Sequence, residues 1–539
     1  MRDGIHLSAD VYLPDEEGSY PTVVIGTPYD NTMKSHVDMA AFFVAHDYAF
    51  IIYDVRGRYD SEGDFYPFFN EGPDGYDLIE WAAEQPWCNG KLGMMGGSYR
   101  GWIQWATAKE QPPHLTTMVP TATGGNWLQE FPYFNGIPCL WMFGWLNFVG
   151  AKTNQSLAGT TANWQRIYNT LPISDLPEAL GRELPVWKEW MSHPSMDELW
   201  KDISFTEKDF KGIKIPALHI TGYYDGDQPG ALHYYRGAVK QGPNPEQQYM
   251  LIGPWDHAGT RFPKRVLGGV DFTNDSLMDM KYIHLEWFDH WLKGKDNGVK
   301  NWPLTKYYVM NRNTWGESEK HWPLEPEMKP HYLTSNGAAN TLLGDGKLTE
   351  KPAEDSKDTY IYNPKNPSKP VSSFDFYGAG EDVPLDKRYM LRRDDNLIYT
   401  GWELEGPVKA VGSPVTELYV SSDCPDTDFF VYLMDVHPDG RSILVSKGLM
   451  RARYRNSLEK PEFMEENKVY KVIVPMDATC LEFLEGHRIR LSVTSSEFPR
   501  YGRNNNTGNS IDSDIEIRVA TNSVHHGTAY PSKLLLPTR

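Results

Sequence analysis

One serine in this sequence occupies the setting that a catalytic nucleophile needs. It lies in the segment Gly96-Gly97-Ser98-Tyr99-Arg100-Gly101, after the apolar residues 92–95 and before the helix-compatible residues 102–109. A serine on a sharp turn from strand to helix exposes its hydroxyl and leaves backbone N–H groups free to bind an oxyanion. The second glycine falls three residues after Ser98, so the G-x-S-x-G pattern is met in a shifted form. We predict that Ser98 attacks an acyl group.

An acid and a base follow in the chain order serine, acid, histidine, which hydrolases of this type use. Asp225 lies just beyond the predicted strand at residues 215–222, and His257 lies just beyond the next predicted strand at residues 249–253. In this arrangement neutral His257 takes the proton of Ser98, and Asp225 holds the imidazole tautomer and stabilises the imidazolium. The product of the attack is an acyl-enzyme that water then cleaves.

Other side chains compete for these roles. Asp227 and Asp256 are close enough in sequence to replace Asp225 or to modulate the site, whereas His219 lies within a strand and is expected to pack in the core. We retain Asp225 and His257 because they stand at the ends of successive strands in the required order.

The oxyanion needs two donors. One is expected from the N–H of Tyr99, the residue after the nucleophile, and the other from the loop after an early strand. Pro28 in that loop has no N–H, so the hydroxyl of Tyr29 is a candidate donor. A tyrosine packed at a strand end is the alternative, and the residues alone favour that alternative.

The elements that must position these residues suggest several domains. Residues 1–126 alternate apolar strands with helical patterns, which predicts an α/β fold with a largely parallel sheet. Residues 127–210 are rich in Trp, Leu and Asn and predict a helical insertion, after which the α/β pattern resumes over residues 211–300. Residues 301–539 predict short strands between turns, as in a β-sandwich, including a strand at residues 306–310. The polar residues 337–369 predict surface loops.

Composition limits the classes of partner. The 539 residues carry a formal net charge of -19, and no cluster of Lys and Arg suits a nucleic-acid backbone. No apolar run approaches the roughly 20 residues that span a bilayer, and the four cysteines form no CxxC pair of a zinc or redox site. We expect a small-molecule ester or amide substrate, no metal, no cofactor, no nucleic-acid or membrane partner, and a cytoplasmic location. A homo-oligomer is compatible with the sequence.

Several short motifs along the whole chain resemble those of one known family. They are Pro28-Tyr29-Asp30, Asp54-Val55-Arg56-Gly57, Ser61-Glu62-Gly63, the Ser98 segment, Tyr223-Tyr224-Asp225-Gly226, Gly253-Pro254-Trp255-Asp256-His257 and Gly486-His487-Arg488-Ile489. Together they resemble the cocaine-esterase-like branch of the X-Pro dipeptidyl-peptidase family. The resemblance implies an α/β-hydrolase domain, an inserted helical cap and a C-terminal all-β jelly-roll domain.

The resemblance also implies roles for individual residues. The nucleophile, acid and base of the family fall on Ser98, Asp225 and His257. The tyrosine whose hydroxyl serves the oxyanion hole falls on Tyr29, and the backbone donor falls on Tyr99. The family motif is G-x-S-Y-x-G, so the displaced glycine is expected.

The substrate class is left open by the resemblance, because family members act on esters, α-amino acid esters, glutaryl amides and X-Pro dipeptides. We expect a carboxylic-ester hydrolase. An X-Pro dipeptidyl-peptidase or an α-amino acid ester hydrolase or acylase is the alternative, and a non-catalytic carbohydrate-binding protein is a remote one. In α-amino acid ester hydrolases the acids that bind the substrate ammonium group follow the catalytic aspartate in a D-x-E-D pattern. This chain has Asp225-Gly226-Asp227-Gln228 there, so one carboxylate is kept in type and one is replaced by an amide. Candidate substrate contacts are Asp227 and three cap aromatics, Trp127, Phe131 and Trp141.

Overall fold

Strands and helices alternate in the N-terminal part of the chain. The computed structural model describes residues 1–155, 163–369 and 383–539. The first elements are β1 (Ala9–Tyr12), β2 (Tyr20–Thr27), α1 (Lys34–Val44), β3 (Ala49–Asp54), α2 (Glu71–Ala83), β4 (Cys88–Gly97), α3 (Tyr99–Lys109) and β5 (Leu115–Thr121). Strand β3 is buried along its whole length and apolar up to its last residue, Asp54, which is the pattern of a strand covered by helices on both faces of a sheet.

A run of helices then interrupts the alternation. Its elements are β6 (Tyr133–Phe134), β7 (Ile137–Pro138), α4 (Leu140–Val149), α5 (Trp164–Tyr168), α6 (Leu176–Leu180), α7 (Pro185–Ser192), α8 (Glu198–Ile203) and α9 (Glu207–Gly212). Helix α4 is apolar around most of its circumference and is almost entirely buried, as expected of a helix in the interior. The cap predicted at residues 127–210 contains these elements except for the last two residues of α9, and its residues 156–162 lie outside the described part of the chain.

The α/β pattern resumes after the cap and completes one large sheet. The elements are β8 (Ala217–Tyr224), α10 (Gln228–Gln241), β9 (Gln248–Asp256), β10 (Val266–Leu267), β11 (Val270–Asp271), α11 (Met280–Trp291), β12 (Thr305–Val309) and β13 (Thr314–Ser318). In the described residues the sheet order is β1-β3-β2-β4-β5-β8-β9-β12-β13, with the strands from β3 to β12 parallel. The residues after β2, β4, β8 and β9 therefore meet at one edge, where ligands bind in such sheets.

Strands dominate the rest of the chain. They are β14 (Glu327–Thr334), β15 (Lys347–Thr349), β16 (Ser356–Tyr362), β17 (Leu397–Thr400), β18 (Val408–Gly412), β19 (Val415–Ser422), β20 (Asp428–Val436), β21 (Ser442–Arg451), β22 (Tyr470–Pro475), β23 (Thr479–Phe483), β24 (Arg488–Thr494), β25 (Ala520–His526) and β26 (Lys533–Thr538). The predicted fold class, an α/β-hydrolase domain followed by an all-β domain, is confirmed. No helix in the described ranges is both long and apolar enough to cross a membrane.

Two stretches differ from the expectations. A strand does form at residues 305–309, but it pairs with β9 and so belongs to the large, mostly parallel sheet (below, the hydrolase sheet), with Thr305 beside Met250. The sequence pattern identified the strand but could not show which sheet it joins. Within residues 337–369, β16 is a strand whose Asp358, Tyr360 and Tyr362 face inward while the residues between them are more exposed. The sequence analysis missed this strand because its outward-facing residues are mostly polar, so the composition of the segment resembles that of a loop.

Candidate active site

Ser98 stands on a strained turn between β4 and α3. Its backbone angles are φ +65° and ψ -130°, a region that side chains rarely adopt and that costs of order 1–3 kcal/mol. The N–H of Ser98 donates to the carbonyls of Thr121 at 2.9 Å and Ala122 at 3.0 Å. These bonds tie the turn to the end of the neighbouring strand β5 and hold the strained conformation in place.

The glycines around Ser98 make the turn possible. Gly96 has φ +143°, and a Cβ built on it would lie 2.6 Å from the Cβ of Arg100. A Cβ on Gly101 would lie 2.5 Å from Oγ1 of Thr123 and 3.0 Å from the carbonyl oxygen of Thr121. The displaced second glycine therefore lets α3 pack closely against the end of β5.

A histidine and an aspartate at the next two strand ends are hydrogen-bonded to each other. His257 Nδ1 donates to Asp225 Oδ1 at 2.8 Å. The carboxylate of Asp225 also accepts from Thr221 Oγ1 at 3.0 Å and from the N–H of Asp227 at 3.0 Å. These bonds fix the carboxylate, which in turn fixes the imidazole ring.

The carboxylate of Asp225 and the imidazole of His257 each shift the pKa of the other toward the charged form. Burial alone would raise the pKa of Asp225, but the charge and hydrogen bond of His257 hold it below its usual value. Burial alone would lower the pKa of His257, but the carboxylates of Asp227 and Asp225 raise it above its usual value. The site therefore stabilises an imidazolium, the species that a general base becomes after it has taken a proton.

The competing acids are placed differently. Asp227 Oδ2 lies 3.8 Å from His257 Nδ1, and Asp256 Oδ1 accepts from the N–H of Gly259 at 2.6 Å. Burial raises the pKa of Asp227 to about 6, while the hydroxyl of Ser98 interacts with its carboxylate and favours the ionised form. Geometry thus favours Asp225 as the partner of His257 and places Asp227 beside the nucleophile.

The hydroxyl of Tyr29 lies at the same edge. Trp145 Nε1 donates to the Tyr29 oxygen at 3.1 Å, and the Ser98 hydroxyl interacts with that oxygen as well. Burial raises the pKa of Tyr29, so the phenol keeps its proton. An oxygen that accepts from Trp145 has its own O–H available to donate.

Tyr99 contributes in two ways. Its backbone N–H belongs to the first turn of α3, where N–H groups have no partner within the helix. Its side chain is buried, donates to the carboxylate of Glu71 and accepts from the N–H of Phe68 at 2.9 Å. The phenol of Tyr99 therefore anchors the loop that carries Phe68 into the site.

Ser98 and His257 open into one cavity of about 100 Å³. The side chains around it are mostly aromatic, and the full lining is Tyr29, Phe68, Ser98, Tyr99, Trp102, Gly124, Phe131, Trp141, Met142, Trp145, Tyr224, Gly226, Asp227, Asp256, His257 and Arg500. Of the predicted substrate contacts, Phe131, Trp141 and Asp227 line the cavity. Trp127 does not, because it packs behind Phe68 and its indole N–H donates to the carbonyl of Ile203.

Two charged residues near the cavity were missed from the sequence. Arg500, from the all-β domain, is part of the lining, and its carbonyl accepts from the N–H of Leu140 in the cap. Glu130 is buried, accepts from the N–H groups of Gly125 and Asn126, and leaves Oε1 without a hydrogen-bond partner among the described residues. Only the fold brings Arg500 into the cavity wall and the charge of Glu130 close to that of Asp227, so no local pattern could have identified them.

A strained serine after a central parallel strand, with a histidine–aspartate pair at later strand ends, defines a serine hydrolase with the α/β-hydrolase fold. Comparisons with known proteins agree with this class. Residues 3–259 match the family described as X-Pro dipeptidyl-peptidase (S15 family), and residues 297–535 match the X-Pro dipeptidyl-peptidase C-terminal non-catalytic domain. The chain belongs to this family.

Individual relatives span different activities. The chain is 34% identical to the cocaine esterase of Rhodococcus sp. (strain MB1 Bresler), covering 100% of this chain and 97% of the relative. It is similar to an aminopeptidase from the marine sediment archaeon Thaumarchaeota archaeon, with a TM-score of 0.89, 25% identity, and coverage of 100% of this chain and 95% of that one. An α-amino acid ester hydrolase shares the fold, with a TM-score of 0.88, 24% identity and the same coverage.

Proposed function

We propose that the chain hydrolyses carboxylic esters of small acyl groups through an acyl-enzyme on Ser98. The observation that carries the proposal is the strained Ser98 opening into the same cavity as the hydrogen-bonded pair His257 and Asp225. His257 accepts the proton of Ser98 during attack and returns it to the leaving alkoxide, and the same imidazole then activates water to release the acid. Asp225 keeps the ring in the tautomer that presents Nε2 to the serine.

The oxyanion is proposed to bind between the Tyr29 hydroxyl and the Tyr99 N–H. Trp145 donates to the Tyr29 oxygen, so the phenolic O–H remains free to donate to another atom, and burial keeps the phenol protonated. Donors that are oriented before the reaction stabilise developing charge without reorganisation at the moment of attack.

The size of the cavity supports a small acyl group. An apolar cavity of about 150 Å³ holds benzene, whereas the cavity at Ser98 has about 100 Å³. Phe131, Trp141 and Trp145 provide rigid walls. We expect kcat/KM on p-nitrophenyl acetate or butyrate to exceed that on the octanoate or benzoate ester, and the reverse order would contradict the proposed acyl pocket.

Covalent labelling tests the nucleophile. A fluorophosphonate probe should label the wild-type protein at Ser98 and should not label Ser98→Ala, which should also lose ester hydrolysis. The exposed Ser35 gives a matched control, since Ser35→Ala should be labelled like the wild type. Undiminished labelling of Ser98→Ala would contradict the assignment of the nucleophile.

A second candidate, hydrolysis of α-amino acid esters or amides, is favoured by buried acids. Asp227 lines the cavity, and burial followed by the charge of Asp227 raises the pKa of Glu130 well above its usual value. An ammonium group bound in the cavity would be held by the carboxylate of Asp227 and, by its charge, would lower the pKa of both acids. Both the aminopeptidase and the amino-ester hydrolase named above resemble this chain, which supports this candidate.

A pair of substrates separates the two candidates. Alanine methyl ester and methyl propanoate have small acyl groups and differ by one amino group, so recognition of ammonium appears as a higher kcat/KM for the former. In Asp227→Asn this preference should be lost while hydrolysis of methyl propanoate persists. Equal rates on both esters in the wild type would contradict the second candidate, and turnover of Ala-Pro-p-nitroanilide would instead indicate dipeptidyl-peptidase activity.

We also propose a cytoplasmic location and a small molecule as the main partner. Cys88, Cys139, Cys424 and Cys480 are buried and free, as is usual in a reducing compartment. The net charge of -19 disfavours a nucleic-acid partner. Fractionation of source cells, with ester hydrolysis as the assay, tests the location.

A further inference from the structure

Two histidines and one aspartate come together in the all-β domain, on strands that no step of the hydrolysis uses. Strands β20 and β24 are antiparallel, with Asp435 opposite Ile489 and Val436 opposite Arg488. The next pair in this register is His437 opposite His487, and the centroids of these two rings are 4.5 Å apart. Because side chains alternate along a strand, Asp435 and His437 project from the same face, toward His487.

We infer that Asp435, His437 and His487 form a binding site for a divalent transition-metal ion, with Zn²⁺ as the best-suited ion. One ligand atom from each residue lies within 4.8 Å of the other two. His487 Nδ1 is 2.8 Å from Asp435 Oδ1, and His437 Nε2 is 3.5 Å from Asp435 Oδ2. The edge of a tetrahedron with bonds of about 2.0 Å is about 3.3 Å, so small side-chain movements bring the three atoms to zinc geometry.

The surroundings suit a bound cation. The side chain of Asp435 is 1% exposed and that of His487 is 9% exposed, whereas that of His437 is 22% exposed and provides a route for the ion. Asn311, just after β12, donates to Asp435 Oδ2 at 2.8 Å, so the carboxylate is oriented by a second residue, as metal ligands usually are. The guanidinium of Arg441 is paired with Asp439 at 2.7 Å, which offsets its charge, and its Nη2 lies 3.4 Å from His437 Nδ1. Zinc at His437 Nε2 leaves the ring proton on Nδ1, so the exposed Arg441 side chain must turn away from this nitrogen when the ion binds.

The backbones of the ligands are also fixed. The N–H of His437 donates to the carbonyl of Arg441, and the N–H of His487 donates to the carbonyl of Leu484. A three-residue protein set with two imidazoles and one carboxylate leaves a fourth position for water. Zinc would then join the end of β20 to the start of β24 and, through Asn311, to the hydrolase sheet.

Metal titration tests this site directly. The full chain, without an affinity tag and treated with a chelator, is titrated with ZnCl₂ by calorimetry, and its melting temperature is measured with and without zinc. We expect one Zn²⁺ per chain and a rise in melting temperature, since an ion that binds the folded state stabilises it. Mg²⁺ should have no effect, because it prefers oxygen ligands.

The informative variant is His437→Gln, which keeps the hydrogen bond between His487 and Asp435 and so preserves the fold. It should weaken zinc binding at least tenfold and abolish the rise in melting temperature. His525→Gln, a half-buried histidine of the same domain outside the cluster, should bind zinc like the wild type. Absence of zinc binding by the wild type, or equal binding by His437→Gln, would overturn the inference and leave a hydrogen-bonded network only.

Discussion

The oxygen of Tyr29 accepts a hydrogen bond from the cap, which leaves its O–H available to donate. The residues alone favoured packing over catalysis, and the contact that supports a donor role is the indole N–H of Trp145, which occupies an acceptor site of the phenol at 3.1 Å. Trp145 is more than a hundred residues away along the chain, in the cap. The contact with this distant element is not visible in the residue types of Pro28-Tyr29-Asp30, so at the sequence level only the family resemblance indicated the role.

Replacing Tyr29 by phenylalanine should therefore lower kcat for ester hydrolysis about 100- to 1000-fold, the usual cost of removing one oxyanion donor. The loss should fall on kcat with KM little changed, because the oxyanion exists only after attack. Steady-state kinetics on p-nitrophenyl acetate measure both parameters. Tyr66→Phe, which removes a hydroxyl bonded to Glu189 outside the cavity, is the matched control, and an equal loss in both variants would contradict the role of Tyr29.

The charge of Asp227 should appear in the pH dependence of the reaction. The reactive base is neutral His257, so kcat/KM rises with pH through the pKa of His257 and reaches a plateau above it. Asp227 and Asp225 hold this pKa above its usual value. In Asp227→Asn the imidazolium loses one stabilising charge, its pKa falls, and the acidic limb of the profile should move to lower pH.

The profile of kcat/KM against pH on an uncharged ester measures this shift. Asp38→Asn, which removes a surface carboxylate paired with Lys34, should leave the limb in place. A limb that stays fixed in Asp227→Asn, or moves to higher pH, would show that Asp227 does not act on the charge of His257.

The turn from β4 to α3 depends on how closely the helix approaches β5. A methyl group on Gly101 would meet Oγ1 of Thr123 at 2.5 Å and the carbonyl oxygen of Thr121 at 3.0 Å. Gly101→Ala should therefore lower the free energy of unfolding by about 1–3 kcal/mol, the range found for overpacked sites, and should reduce ester hydrolysis because α3 carries the Tyr99 N–H.

Urea unfolding measures the loss of stability. Gly406 has open space around the position of a Cβ and does not have a positive φ, so Gly406→Ala is the control and should unfold like the wild type. Full stability and full activity in Gly101→Ala would mean that the displaced glycine is dispensable.

The sequence predicted the position of a site residue well where that residue directly follows a clearly bounded strand. Ser98, Asp225 and His257 were predicted at strand ends because strands β4, β8 and β9 are apolar runs with clear ends, and the structure brings all three to one edge. The same reasoning failed for β12, since its residues show a strand but not its partner. Trp127 illustrates another limit: apolar type predicts burial, and packing decides which buried aromatic side chain reaches the cavity.

The two halves of the molecule meet directly beneath the acid of the site. Gln228, at the start of α10, donates to the carbonyls of Gly222 and Ala478 at 3.0 Å each, and its Oε1 accepts from the N–H of Ala478 at 2.6 Å. The amide that replaces an acid in the D-x-E-D pattern therefore joins the hydrolase sheet to the all-β domain. Arg500 of the all-β domain completes the cavity, so docking of the domains and formation of the site are linked.

Restoring the acid at this position should damage the protein. Gln228→Glu removes both donors, leaves two buried carbonyls facing a carboxylate, and should lower the free energy of unfolding by at least about 2 kcal/mol, with loss of ester hydrolysis as docking weakens. Thermal and urea unfolding measure the first effect, and p-nitrophenyl acetate hydrolysis the second. Gln165→Glu, at an exposed position of the cap, should be neutral. If Gln228→Glu were as stable as the wild type and gained preference for an amino-acyl ester, Gln228 would belong to substrate recognition and not to the contact between the domains.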